Sequence, residues 1–137
     1  MFDLHPQLVK DCAIVGELSI SKLLLMNDAN YPWFVLVPMR PDKREWYELS
    51  DIDQQQLLRE VNALAAFLQA ETGALKINIG ALGNMVPQLH VHVVARFQED
   101  RAWPAPVWGK VPAVAYDADK FAFMLALGSG FIKSFSA

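Results

Sequence analysis

Gln88-Leu89-His90-Val91-His92-Val93-Val94 alternates polar and apolar side chains as far as Val93, which is the period of a β-strand with one face buried. Successive side chains of a strand point to opposite faces, so Gln88, His90 and His92 are expected on one face and Leu89, Val91 and Val93 on the other, against a helix. Two imidazoles and an amide then stand about 7 Å apart on a rigid support. That display suits phosphorus chemistry, because a neutral imidazole is a nucleophile near neutral pH that needs no separate base. The same spacing also fits histidines that decorate a solvated strand, or a metal site. A metal site needs a third ligand. The only other histidine is His5, Cys12 lies on what reads as a helix face, and nothing in the spacing selects Glu99 or Asp100, so no metal is assigned.

Immediately upstream, Asn78-Ile79-Gly80-Ala81-Leu82-Gly83-Asn84 holds two glycines and two amides. Such a loop presents main-chain N–H groups and side-chain amides to a phosphate, although glycine turns that merely join two strands are common. Leu18 to Met26, Trp33 to Val37 and Leu75 to Ile79 are strand-like as well, and the histidine strand extends over Leu89 to Phe97. Between the second and third of these four runs the spacing predicts a helix over Ser50 to Thr72, with Leu57, Leu58, Val61, Leu64, Ala65 and Leu68 on one stripe. Ser50 is its cap, Asp53 sits three residues on as in a capping box, and Gly73 ends it. The order strand, strand, helix, strand, strand implies an α+β domain with a mainly antiparallel sheet and one long helix. After Phe97 the chain is loop-like but aromatic. Trp103 and Trp108, like Trp33, read first as core or interface residues and second as stacking surfaces for a base. A short C-terminal helix is expected from about Asp117 to Leu127, packing Phe121, Met124 and Leu125.

With 137 residues, 53% of them hydrophobic, the chain has the size and apolar content of one domain spanning residues 1–137. A net charge of -3 supplies no broad basic field to hold a duplex by its phosphates, so no nucleic-acid partner is expected. The opening residues Met1-Phe2-Asp3-Leu4-His5 lack the basic-then-apolar order of a secretory signal. The apolar run Phe121 to Leu127 is too short to span a bilayer, so no membrane association is expected. Cys12 is the only cysteine and cannot form an intrachain disulfide, which points to a reducing, cytoplasmic compartment.

His90-Val91-His92-Val93-Val94-Ala95-Arg96 resembles the carboxyl-terminal part of the His-x-His-x-His-x-x signature of the histidine triad (HIT) family, and Gly83-Asn84 resembles the Gly-Gln that precedes it. Tyr31-Pro32-Trp33-Phe34-Val35-Leu36-Val37-Pro38 is similar to the family's Pro-Gly-His-x-Leu-Val-x-Pro strand, and Glu48-Leu49-Ser50 to its Asp-Leu-Ser/Thr helix start. The likeness runs from about Glu17 to Arg96. It implies a HIT-like fold and a homodimer. It also implies a nucleotide hydrolase or transferase acting on dinucleoside polyphosphates or nucleoside phosphoramidates, with no cofactor.

The resemblance further implies that His90 attacks the α-phosphorus and becomes a covalent nucleotidyl-imidazole, its other ring nitrogen donating to the main-chain carbonyl of residue 88. His92 would contact the phosphate and bridging oxygen, and either it or the substrate would protonate the leaving group. Gly83 and Asn84 fall on the phosphate side, Asn78 in the loop that reaches the phosphate chain, and Asn27 or Asp28 at the ribose hydroxyls. Two departures bear on turnover more than on binding. Gln88 stands where the family has its first histidine, and its amide cannot relay a proton. Phe34 is matched to the histidine of the Pro-Gly-His strand, and either removes a polar group near the triad or fills the sheet core. Lys76, Arg40 and Arg96 are candidates for a local positive cluster. The rivals are a nucleotide-binding module without turnover, and a metal-dependent hydrolase built on His90 and His92.

Overall fold

Ser50 opens the long helix from the position its sequence predicts: its hydroxyl accepts the main-chain N–H of Asp53 at 3.2 Å in a computed structural model that describes residues 1–136. This helix, here α2, spans Asp51–Thr72, and Gly73 ends it in the left-handed region at φ 71°. Leu57, Val61, Leu64 and Leu68 form the buried stripe. Asp53 turns its carboxylate to the guanidinium of Arg40, at 2.6 and 3.1 Å.

The strands are β1 (Cys12–Glu17), β2 (Ser21–Met26), β3 (Trp33–Pro38), β4 (Lys76–Gly80) and β5 (Val91–Arg96), with two further helices, α1 (Pro6–Asp11) and α3 (Ala118–Ser136). They form one five-stranded sheet in the order β1-β2-β3-β5-β4, antiparallel at every pairing. The α+β, antiparallel architecture expected from the sequence is what the chain adopts. One face of the sheet, carrying Leu23, Leu25, Phe34, Leu36, Val91 and Val93, packs with α2 and α3. The other, carrying Leu24, Trp33, Val35 and Val94, packs with Tyr31, Val86, Ala102 and Val107 from the connecting segments. Because both faces are covered, β3 and β5 are buried at every position: β3 reads as an apolar run, while the alternation of β5 puts its polar side chains on a second covered face rather than in solvent.

Three expectations are corrected. Cys12 does not lie on a helix face. It opens β1, an edge strand whose pairing shifts between Ile14 and Gly16, so the alternation that announces a strand is broken by a bulge. Leu18 to Ile20 belong to the turn between β1 and β2, closed by Leu18 N–H donating to Ser21 O at 2.8 Å, and the strand starts only at Ser21. The C-terminal helix is not short, since α3 runs on through Gly128-Ser129-Gly130 to Ser136. A Cβ at Gly128 would lie 2.9 Å from Val15 Cγ1 and 3.0 Å from Phe34 Cε1. The glycine costs the helix about 1 kcal/mol of propensity, but it lets α3 lie directly on the sheet, where Met124 and Phe131 are buried. Among the described residues no helix is long and apolar enough to cross a membrane.

Candidate active site

His92 projects from β5 on the face away from α2, level with Val35 of β3 and Gly80 of β4. His90 sits just before the strand, with the two imidazole centroids 4.9 Å apart and both side chains buried. Nδ1 of His90 lies 2.7 Å from the main-chain oxygen of Gln88. A carbonyl can only accept, so Nδ1 carries the proton, and the neutral ring keeps its lone pair on Nε2. Nδ1 of His92 accepts the indole N–H of Trp33 at 2.9 Å, which puts the proton of the neutral His92 ring on Nε2. Burial, helped by the neighbouring His90, pushes the pKa of His92 down to about 3. The pair therefore offers one bare ring nitrogen and one ring N–H.

Trp108 closes the arrangement from the loop after β5, its ring 5.4 Å from His92 and 6.1 Å from Trp33. It gets that close because residue 80 is glycine: a Cβ there would lie 3.2 Å from Cη2 of Trp108. A cavity of about 260 Å³ is lined by Gly83, Asn84, Met85, His90, His92 and Trp108, together with Leu82 and Val86. Gly83 takes φ 72° to turn this loop. On the far side of Trp108 is a second cavity of about 520 Å³, lined by Asn27, Asp28, Lys10, Trp33 and Val107 among others. The indole N–H of Trp108, which borders both, is buried without a hydrogen-bond partner.

The structure thus brings His90, His92, Gly83 and Asn84 together, and sets Asn27 and Asp28 at the adjoining cavity. Both of the last two anchor the segment after Trp108. Asn27 Oδ1 accepts from Tyr116 N–H at 3.0 Å, and Asp28 Oδ1 from Asn30 N–H at 3.0 Å and Val114 N–H at 3.3 Å. Asn78 is elsewhere, its amide oxygen taken by Arg96 at 2.8 Å. Gln88 precedes β5 and does not share the histidine face. Its side chain clasps the amino-terminal segment, accepting His5 N–H at 2.9 Å and donating to Asp3 O at 2.8 Å, so its contribution to His90 is the carbonyl. The positive cluster does not form from the named residues: Arg96 is paired with Asp100, Arg40 with Asp53, and Lys76 donates to Ile77 O.

Phe34 is also corrected. It pairs with Val93 on the helix-facing side and fills the core there, so it is not the counterpart of the Pro-Gly-His histidine. Trp33 is. It is the fifth residue before Pro38, as the histidine is in the motif, and it stands on the same face as His92. The signal for this residue was in the spacing to Pro38. For the third metal ligand, His5 caps α1 by accepting Gln7 N–H at 3.0 Å, Cys12 contacts Met26, and Asp100 holds Arg96. Among the described residues no three of His, Cys, Asp and Glu gather to hold a metal.

With this geometry in hand, the chain is similar to several solved structures. A histidine triad protein from Marinobacter aquaeolei is 45% identical over 98% of both chains, with a TM-score of 0.95. One from Bradyrhizobium japonicum is 44% identical over 96% of this chain and 98% of its own, with a TM-score of 0.93. A hypothetical histidine triad nucleotide-binding protein from Sulfolobus tokodaii shares the fold at 13% identity, with a TM-score of 0.67 over 93% of this chain and 90% of its own. Among curated proteins the chain has no match. The HIT domain pattern matches residues 7–99, more than half of the chain, and the protein therefore belongs to the HIT, or histidine triad, family.

Proposed function

We propose that the chain is a nucleotide hydrolase or transferase that works through a covalent nucleotidyl-imidazole on His90. The observation that carries this reading is the hydrogen bond from His90 Nδ1 to Gln88 O, which leaves Nε2 of a neutral ring as the nucleophile beside a small cavity. His90 forms a bond to the α-phosphorus and the leaving group departs. Water then attacks the same phosphorus, the N–P bond breaks with its electron pair returning to Nε2 of His90, the water gives up a proton to solvent, and a nucleoside monophosphate leaves. His92 Nε2–H is the donor for the bridging oxygen of the leaving group, and Asn84 with the main-chain N–H groups around Gly83 supplies the donors for the non-bridging oxygens. The larger cavity has the volume typical of small-molecule sites. There Asn27 and Asp28 border the ribose, and the unpartnered indole N–H of Trp108 awaits an acceptor from the ligand.

A ligand that binds only the folded state raises its melting temperature, by an amount that grows with concentration. Adenosine or guanosine monophosphate at about 100 times Kd should stabilise the protein by about 2.7 kcal/mol, read as a rise in Tm. An unmoved melting curve at saturating nucleotide, with a strong shift on adding a metal ion, would replace this reading with the metal-dependent one. A rise in Tm with no cleavage of dinucleoside polyphosphates or nucleoside phosphoramidates would leave a binding module without turnover.

The same reading makes the chain a homodimer. The exposed Ile79 on the edge strand β4, with Leu58 and Leu75, supplies apolar surface for a second copy. Light scattering at micromolar concentration should give twice the 15.4 kDa chain mass, and a monomer mass there would reject it.

A further inference from the structure

Trp33 holds His92 with a group that can only donate. Most partners of a buried imidazole, such as a carbonyl, a carboxylate or another imidazole, can accept a proton from it, and so tolerate the ring in its protonated form. An indole N–H cannot. We propose that Trp33 is a positioning residue that fixes His92 as the neutral ring protonated on Nε2, and thereby sets which leaving groups the site releases. The part of this proposal that concerns leaving groups rests on the nucleotidyl-transfer reading above. The part that concerns the ring does not.

The geometry leaves His92 no way to a second proton while Trp33 stays in place. Placing a hydrogen on Nδ1 would oppose two N–H groups across 2.9 Å. The indole is itself hemmed in, edge-on to Trp108 at 6.1 Å and to Tyr31 at 6.2 Å, and is 7% exposed. Around His92 stand Trp33, Trp108, Val35, Gly80 and His90. Of these only the His90 ring can repel a positive charge on His92. Burial and His90 hold His92 well below the usual imidazole range.

A neutral Nε2–H gives a hydrogen bond but is no acid near neutral pH. In the first step the Nε2 lone pair of His90 forms the N–P bond, and the bond from phosphorus to the leaving group breaks with its electron pair passing to that group. Hydrogen-bonded to His92, the group must depart as an anion. Phosphate and carboxylate oxygens can do so, since their conjugate acids titrate at about 6 and about 4. An amine cannot, because its nitrogen must be protonated before the bond breaks. Trp33 therefore directs the site to phosphoanhydrides and acyl phosphates and away from phosphoramidates.

The test begins with NMR on protein carrying ¹⁵N-labelled histidine, with the His92 ring assigned by its loss in His92→Gln. The wild type should show a bare Nδ1 and a protonated Nε2, unchanged between about pH 8 and about pH 5, the window in which an ordinary histidine titrates. An imidazolium or a proton on Nδ1 in that window overturns the proposal. Trp33→Phe, which keeps the ring bulk without the donor, should give a mixture of tautomers. An unchanged His92 ring in that variant also overturns it. In the kinetic arm, wild type should cleave diadenosine tetraphosphate about a hundredfold or more faster than adenosine 5′-phosphoramidate, the scale of general acid assistance. Trp33→His, whose imidazole can take the Nδ1 proton, should narrow that ratio. Equal wild-type rates with Nδ1 bare would overturn the assignment of leaving groups. If neither substrate is turned over while Nδ1 is bare, the nucleotidyl-transfer reading fails and the assignment of the ring stands.

Discussion

His90→Ala is expected to abolish cleavage of any nucleotide that the wild-type chain turns over, while His92→Ala keeps a slow residual rate. His90 is the group that forms a bond to phosphorus, so without it the two-step route does not exist, and the loss should approach the roughly millionfold cost of deleting a catalytic nucleophile. His92 is a donor held in place by Trp33. Removing one such donor from a developing oxyanion costs about 10²–10³ in kcat. Steady-state rates read the difference directly. The intermediate gives an independent check: an acid-labile nucleotidyl adduct should appear in the intact mass of the wild type and be absent from His90→Ala. If both variants cleave a proven substrate at the wild-type rate, the two histidines are decorative and the covalent mechanism is wrong.

How much of the fold can be read from the chain depends on whether its signals are local. The long helix is legible because its stripe, its Ser50 cap and its Gly73 stop all lie within the segment itself. Four of the strands are legible as apolar runs between turn residues. Their ends are less so, since β5 begins at Val91 rather than Leu89. β1 is hidden because a bulge between Ile14 and Gly16 breaks its period. The second half of α3 is hidden for a different reason. Gly128 looks like a stop, yet it is a contact with Val15 and Phe34, and nothing near it in the sequence reports residues so far away.

The same division runs through the site. His90, His92, Gly83 and Asn84 lie within ten residues of one another, so the motif and the loop before it nearly suffice to put them side by side. The clasp of Gln88 on Asp3 and His5 crosses more than eighty residues and has no sequence signature. Trp33 against Phe34 is a question of register. A shift of one residue along a strand exchanges the faces; the spacing to Pro38 points to Trp33, and the pairing of Val35 with His92 puts it on the imidazole's side. Asn78 is on the correct face, level with Val94, but Arg96 claims its amide.

Asp100→Ala is expected to cost about 3–5 kcal/mol, the penalty for leaving one partner of a buried ion pair alone. Arg96 is 2% exposed. Its Nε and Nη2 reach the two oxygens of Asp100 at 2.8 and 3.1 Å, and it also donates to Asn78 Oδ1 at 2.8 Å and to Ala105 O at 2.7 Å. The guanidinium lies over the rings of Tyr31 and Trp103, at 5.8 and 5.7 Å. Asp100 in turn accepts the N–H groups of Phe97, Ala102 and Trp103, at 3.1, 3.1 and 2.7 Å. Burial alone would raise its carboxyl pKa, but Arg96 and these N–H groups hold it below the usual range. Its contribution is thus present above about pH 4 and fades as pH falls through the lowered value. Truncation leaves a buried cation without its anion and the N–H groups of Phe97 and Ala102 without their acceptor, while that of Trp103 keeps only a longer bond to Asp100 O at 3.3 Å. In urea the midpoint should fall with the slope unchanged, and Tm should drop by about 10 °C or more for a chain of this size. Asp100→Asn, which keeps a carbonyl acceptor but no charge, should lose less. A loss under about 0.5 kcal/mol in Asp100→Ala, the range of an ordinary surface change, would show that the pair is not the anchor of this loop. The effect should reach function too, since the loop so fixed continues into Val107 and Trp108, which wall the larger cavity. Nucleotide affinity should therefore weaken in Asp100→Ala, even under conditions where the chain stays folded.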